Sequence, residues 1–235
     1  EARSLARLRL SQFWAREEPE RRIEWGVLEA AASLCLEAGR VRAELKKMAP
    51  SLYDYVQAYA AHSEPWMNLD RLARQIETRY ARLEPFDGES GTVEPVVNKA
   101  RFLYAEILHE LALAYSETSA KEEFRHNKIL SQTSVFKEKV QPFIEKKEKV
   151  AYFLVDALRY EMAAEMAEGF GETSEVLIEP VLGQLPGITI VGMAALMPRA
   201  ENGIEVEEKN GKICLQIQGK SQPSRAARMD WIRAS

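Results

Sequence analysis

The sequence predicts an α/β protein with a helical N-terminal region. Three observations carry that expectation. Apolar residues recur at helical spacing as far as residue 149, a continuous apolar run (VAYFLV) spans Val150–Val155, and Asn210-Gly211 separates two short segments of strand character. The division that follows is a helical region over 1–149 and an α/β region over 150–235.

In the front region a first helix is expected over about 3–16, ending before Pro19. A second runs from Glu20 to Ala38, with Gly39 as its stop, and a short helix then reaches Met48 before Pro50. Ser51 is placed to cap the tyrosine-rich segment from Leu52 to about His62. Pro65 opens another helix, with Trp66, Leu69, Leu72, Ile76 and Tyr80 on one stripe. The stretch FDGESGT (86–92) reads as a loop. Beyond it Tyr104, Leu108, Leu111 and Tyr115 share one face of a long helix. A further helical stretch spans about 121–147, with Pro142 tolerated only near a break or a fresh start. The mixed charges of KEKVQPFIEKKEKV (137–150) read as a solvated helix face rather than a nucleic-acid site. Trp14, Trp25, Tyr53, Tyr55 and Tyr59 fall at helical spacings and are expected in the core, not as stacking platforms for bases.

At residue 150 the pattern changes. VAYFLV reads as a strand covered on both faces of a parallel sheet, followed by Asp156 and a helix from Ala157 to about Phe170. A second strand is expected near Glu175–Leu182, after which Pro186-Gly187 turns into a short apolar helix, Thr189 to Met197. This order implies a parallel, doubly wound sheet. Ile204–Glu208 and Lys212–Ile217 flank Asn210-Gly211 as the arms of a hairpin, and a last helix starts after Pro223.

With 235 residues the chain can hold one large domain or two modest ones. A net charge of −4 argues against nonspecific affinity for nucleic acid or membrane. No stretch approaches the roughly 20 apolar residues of a membrane span, and no basic-then-apolar leader is seen. Cys35 and Cys214 form no CxxC pair and read as small buried hydrophobes in a reducing compartment, so a cytoplasmic setting is expected. The opening at Glu1 and the end at Ser235 suggest a piece of something longer. A sheet cut short would leave an unpaired edge and favour self-association.

Two residues stand where chemistry belongs. Asp156 follows the first strand, and ligands of open α/β sheets bind at the carboxyl ends of strands. A carboxylate there is a metal ligand or phospho-acceptor, or simply the cap of the next helix. Thr189 follows the Leu-Pro-Gly-Ile turn and opens a helix, where a hydroxyl meets unpaired backbone N–H groups. It is a candidate nucleophile beside a metal ion, or again a cap. His62, His109 and His126 all lie in the front region and read as packing or surface residues. After residue 150 there is no histidine, and Asp230 is the only other aspartate.

The run VAYFLVDALRYEMAAEMAE (150–168), followed by LPGITIVGMAALMP (185–198), resembles the PglZ family of the alkaline phosphatase superfamily. The segment LQIQGKSQPSRAAR resembles the family's stretch after the nucleophile helix, and PWMNLDRLARQIE (65–77) is similar, more loosely, to what precedes PglZ domains. The resemblance implies the start of an alkaline-phosphatase-like parallel sheet with helices on both faces. It also implies a site for two metals, usually zinc and alternatively manganese, acting on phosphate esters. Asp156 matches a metal-binding aspartate and Thr189 the nucleophile, itself a metal ligand. Arg159, one turn on, would steady the phosphate or pair with Glu161. Two metals need about six protein ligands. The family's later Asp-His-Gly-type ligands have no counterpart here, so the isolated chain is expected to hydrolyse little. The implied setting is a bacterial BREX anti-phage system, beside a methyltransferase and ATP-driven subunits, with a phosphomonoester, nucleotide or nucleic-acid phosphodiester as substrate. The alternative is a helical interaction scaffold whose α/β part is not catalytic.

Overall fold

Between residues 27 and 41 the sequence places Val27, Ala30, Ala31, Leu34, Ala38 and Val41 at spacings of three and four, one face of a helix. In the computed structural model, which describes residues 1–48, 51–83, 93–122, 124, 126–171, 174–209, 211–221 and 224–234, all six are buried. The chain divides into two units, Glu1–Phe124 with Tyr160–Gly171, and Arg125–Arg159 with Glu172–Ser235. Helices dominate the first and small sheets the second, an α/β arrangement with a helical N-terminal region.

The first unit begins with α1 (Ala2–Ser11) and α2 (Phe13–Glu17). The single helix expected over 3–16 is broken because Gln12 takes an extended conformation. Its central element, α3 (Pro19–Leu45), runs straight through the expected stop at Gly39. An exposed glycine costs a helix only about 1 kcal/mol, less than the burial of Ala38 and Val41 on either side returns. α4 (Leu52–Tyr59) starts at the expected cap: the Ser51 hydroxyl accepts from Asp54 N–H while the Asp54 carboxylate accepts from Ser51 N–H.

α5 (Asn68–Tyr80) buries Leu69 and Ile76 of the anticipated stripe against α3, with Trp66 buried beside them. The two helices come close at Gly26, whose carbonyl accepts a hydrogen bond from Arg79; a Cβ there would meet Arg79 Cδ at 3.4 Å. α6 (Glu94–Lys121) closes the core with Val97, Ala100 and Ile107. Its buried face is therefore rotated from the expected one. Tyr104, Leu111 and Tyr115 only flank it, and Leu108 is exposed. Tyr55 and Trp66 lie in this core, but Trp14 is 67% exposed, against expectation. Cys35 is exposed as well. The loop expected at 86–92 lies outside the described residues.

The helix expected over 121–147 does not form as one piece. β1 (Leu130–Ser131) is followed by a 3-10 turn at Gln132–Ser134, a π-helical segment at Phe136–Val140 and α7 (Gln141–Glu145). Pro142 supplies no N–H to the preceding turn, so the helix restarts around it. Next comes α8 (Tyr160–Glu168), a member of the first unit.

In the second unit β2 (Val181–Leu182) pairs in parallel with β1, Leu130 opposite Val181. After α9 (Thr189–Ala195) the hairpin forms as expected. β3 (Ile204–Lys209) and β4 (Lys212–Ile217) are antiparallel with Lys209 opposite Lys212, and Gly211 takes φ +72°. β5 (Lys220–Ser221) extends the sheet, and α10 (Arg225–Arg233) starts from a Ser224 cap. The core joins Val191, Ala194 and Met197 to Leu215, Ile217 and Trp231. Trp231 donates its indole N–H to the Pro198 carbonyl at 2.8 Å.

Val150–Val155 is the clearest departure. Among the described residues it has no ladder partner, and only one of its faces is covered. Tyr152 and Leu154 point inward, while Val150, Phe153 and Val155 are exposed, Phe153 by 82%. The alternation is that of a strand; the expected two-sided cover is not there.

Candidate functional site

The apolar residues ahead of Asp156 anchor it from one side. Tyr152 donates its hydroxyl to the Leu196 carbonyl at 3.1 Å and stacks edge-on against Phe136, and Leu154 packs on the core. Burial pushes the Tyr152 phenol up to about 12. The chain then reaches Asp156 at an exposed turn, where Asp156 Oδ1 accepts from the Ala157 N–H at 3.0 Å and Ala157 sits at φ +57°. A positive φ at a residue bearing a Cβ is uncommon and marks a locally constrained turn.

Thr189 arrives from the other side as the first residue of α9, which is anchored by buried Val191, Ala194 and Ala195. The approach is fixed by Gln132, a residue that sequence reasoning did not single out. Its Oε1 accepts from Gln184 N–H at 2.8 Å and its Nε2 donates to the Gly192 carbonyl at 3.2 Å. One side-chain amide thus ties the turn before α9 to the helix itself. No spacing rule would have found it, because the two contacts are 52 and 60 residues away.

These two approaches bring the sequence-designated pair together: Thr189 Oγ1 donates to Asp156 Oδ2 at 3.2 Å. Both residues are exposed, so the hydroxyl is open to solvent. Thr189 also lines a cavity of about 1250 Å³ with Tyr152, Met193 and Met197 on its apolar wall and Arg199, Arg225 and Arg228 on its rim. Arg159, three residues beyond Asp156 and just ahead of α8, is exposed.

As donors for a cation, Asp156 and Thr189 offer two oxygens on a common edge, suited to a divalent ion. They fit as part of a site and do not complete one. No group of three or more His, Cys, Asp or Glu gathers among the described residues. Asp230 lies on α10, paired with Arg233, and His126 accepts from the Lys128 N–H. No described helix is long and apolar enough to cross a membrane.

Comparison with known proteins gives these features a context. Residues 135–233 match the family described as BREX system PglZ alkaline phosphatase-like domain. Over 145 residues the chain is 29% identical to the alkaline phosphatase-like protein PglZ of Bacillus cereus (strain H3081.97), a match covering 60% of this chain and 17% of that protein. The alignment is longer than everything from residue 135 onward, so it reaches into the helical region. No solved structure matches.

Proposed function

From the PglZ alkaline phosphatase-like domain at residues 135–233, we propose that this chain contributes part of the active site of a metal-dependent phosphoesterase in a BREX-type anti-phage system. The observation that carries the reading is the 3.2 Å contact between the Thr189 hydroxyl and the Asp156 carboxylate. Thr189 is the nucleophile: its oxygen forms a bond to phosphorus as the ester oxygen departs with a proton, and water then releases the phosphate from the threonine. Asp156, as the acceptor of the Thr189 O–H, holds that hydroxyl in place and takes its proton as the oxygen attacks, the proton that later leaves with the ester oxygen. Arg159 is assigned to the phosphate. Divalent cations, zinc or manganese, held in part by these two oxygens would neutralise charge on the phosphoryl oxygens and lower the pKa of the hydroxyl.

The finer architecture belongs to the same proposal. Val150–Val155, with its period-two alternation, is the first strand of an alkaline-phosphatase-like parallel sheet. Because the described residues supply two ligand oxygens where two metals need about six, the 235-residue chain alone turns over little.

The test compares hydrolysis of bis(p-nitrophenyl) phosphate and p-nitrophenyl phosphate, with zinc or manganese added, by this chain and by a version extended downstream toward the length of the curated relative. Thr189→Ala should cost the extended chain on the order of a thousandfold or more. Asp156→Asn should weaken zinc binding, read by calorimetry, by about tenfold or more. An extended chain that binds zinc and hydrolyses either ester equally well with Thr189→Ala sinks the assignment.

Exposed Leu5, Leu8, Phe13 and Trp14 on α1 and α2 favour a second reading, in which the helical region docks other subunits of the defence system and the α/β part is not catalytic. An extended chain without metal or turnover, which still co-purifies with such subunits until Phe13 and Trp14 are changed to serine, would make this the better account.

A further inference from the structure

α8 is the one element of the first unit that comes from beyond Phe124, and it lies within the stretch that matches the PglZ domain. The chain enters the first unit at Tyr160, four positions after Asp156, and leaves it after Gly171. Opposite charges meet where α8 contacts α5. Glu161, Glu165 and Glu168 recur at i, i+4 and i+7 and so share a face of α8. Arg71 and Arg74 stand one turn apart on α5.

Arg71 Nη2 donates to both carboxylate oxygens of Glu168 at 2.9 Å, and Arg74 Nη2 donates to Glu165. Glu161 is fully buried, with the Tyr59 hydroxyl 3.4 Å from its Oε2, and the Tyr59 and Tyr160 rings lie 6.1 Å apart. Tyr59 is itself held, since Asp70 accepts from both its hydroxyl and that of Tyr104. The receptor surface therefore draws on α4, α5 and α6 together.

We propose that the helical region is a charge-matched cradle for α8, in which Tyr59, Arg71 and Arg74 recognise this acidic helix of the chain's own PglZ domain and keep it folded. An amphipathic helix ordinarily orders by burying apolar residues. The buried positions of α8 are instead Glu161 and the small Ala164, so its order depends on the groups that meet its acids. The helical region is then what folds α8, not a detachable appendage to it. The inference rests on the docking of α8 and is independent of the phosphoesterase reading.

Hydrogen exchange read by mass spectrometry on the full chain tests it. In the double variant Arg71→Glu/Arg74→Glu, two attractions become repulsions, and the amides of 160–168 should exchange about tenfold faster while those of α3 keep their protection. Adding Glu165→Arg and Glu168→Arg should bring α8 back to within about threefold of the wild type. Unchanged exchange of α8 in the double variant overturns the proposal, as does a charge-swapped chain that exchanges as fast as the double variant. Should α3 also lose protection, Tyr59→Phe decides. Faster exchange confined to α8 supports the cradle, and no change there overturns it.

Discussion

Tyr152 joins the segment leading to Asp156 to the end of α9 through its bond to the Leu196 carbonyl. Its neutral form is favoured by burial, with the phenol pushed up to about 12 from its ordinary 10. A raised phenol pKa means that the unfolded chain releases its proton first as pH rises. The stabilising contribution is thus fully present below pH 10 and is lost between about 10 and 12. Tyr152→Phe should remove that part of the alkaline destabilisation of the second unit. At pH 7 it should also cost about 1 kcal/mol for the lost hydrogen bond. Denaturant titrations at pH 7 and pH 11 check both; a variant as alkali-sensitive as the parent rejects the argument. At this same scale the closeness of Asp156 and Thr189 was within reach of the sequence: one follows an apolar run and the other a Pro-Gly turn that opens a helix, and their side chains meet at 3.2 Å. Gln132 was not, since a glutamine's partners depend on tertiary placement alone. Nor was the exposure of Cys35, since residue type sets a preference and the helix face decides.

Elements were legible where local chemistry decides them and misread where packing does. The Ser51 cap and the pairing of the hairpin arms are local, and both stand where expected. Gly39 illustrates the opposite: it reads as a stop, but the apolar face of α3 continues past it into Val41 and the helix follows the core. A Cβ at Gly39 meets nothing within 4 Å, and the position is helical and exposed. Gly39→Ala should therefore stabilise the first unit by about 0.5–1 kcal/mol, through lower backbone entropy in the unfolded chain. A midpoint in urea shifted downward would show that α3 bends or opens there. The helix expected over 121–147 failed for a related reason. Its mixed charges suited a helix, but Pro142 and the short pairing of Leu130 and Ser131 with Val181 and Leu182 divide it into separate turns.

For the whole molecule the sequence reading anticipated a helical front and a C-terminal part with sheet, and it expected a two-sided cover of Val150–Val155 that the structure does not have. Phe153 and Leu177 are each 82% exposed in the second unit, an unusual state for large apolar side chains. Self-association is the expected outcome at high concentration. Sedimentation velocity should show it growing with protein concentration, and Phe153→Asp with Leu177→Asp should reduce it. A parent chain that stays monomeric throughout the range contradicts this.

The alternation of the two units along the chain has a consequence for synthesis. Leu130 must find Val181, and at roughly 5–20 residues per second the ribosome needs several seconds to make the stretch between them. α1 to α6 precede that interval, so the arginines of α5 are already in place when the acidic helix emerges. The second unit closes only afterwards. Its early part therefore waits, unpaired, at the ribosome, and codon choice between residues 131 and 181 is where the yield of correctly folded chain is most open to adjustment.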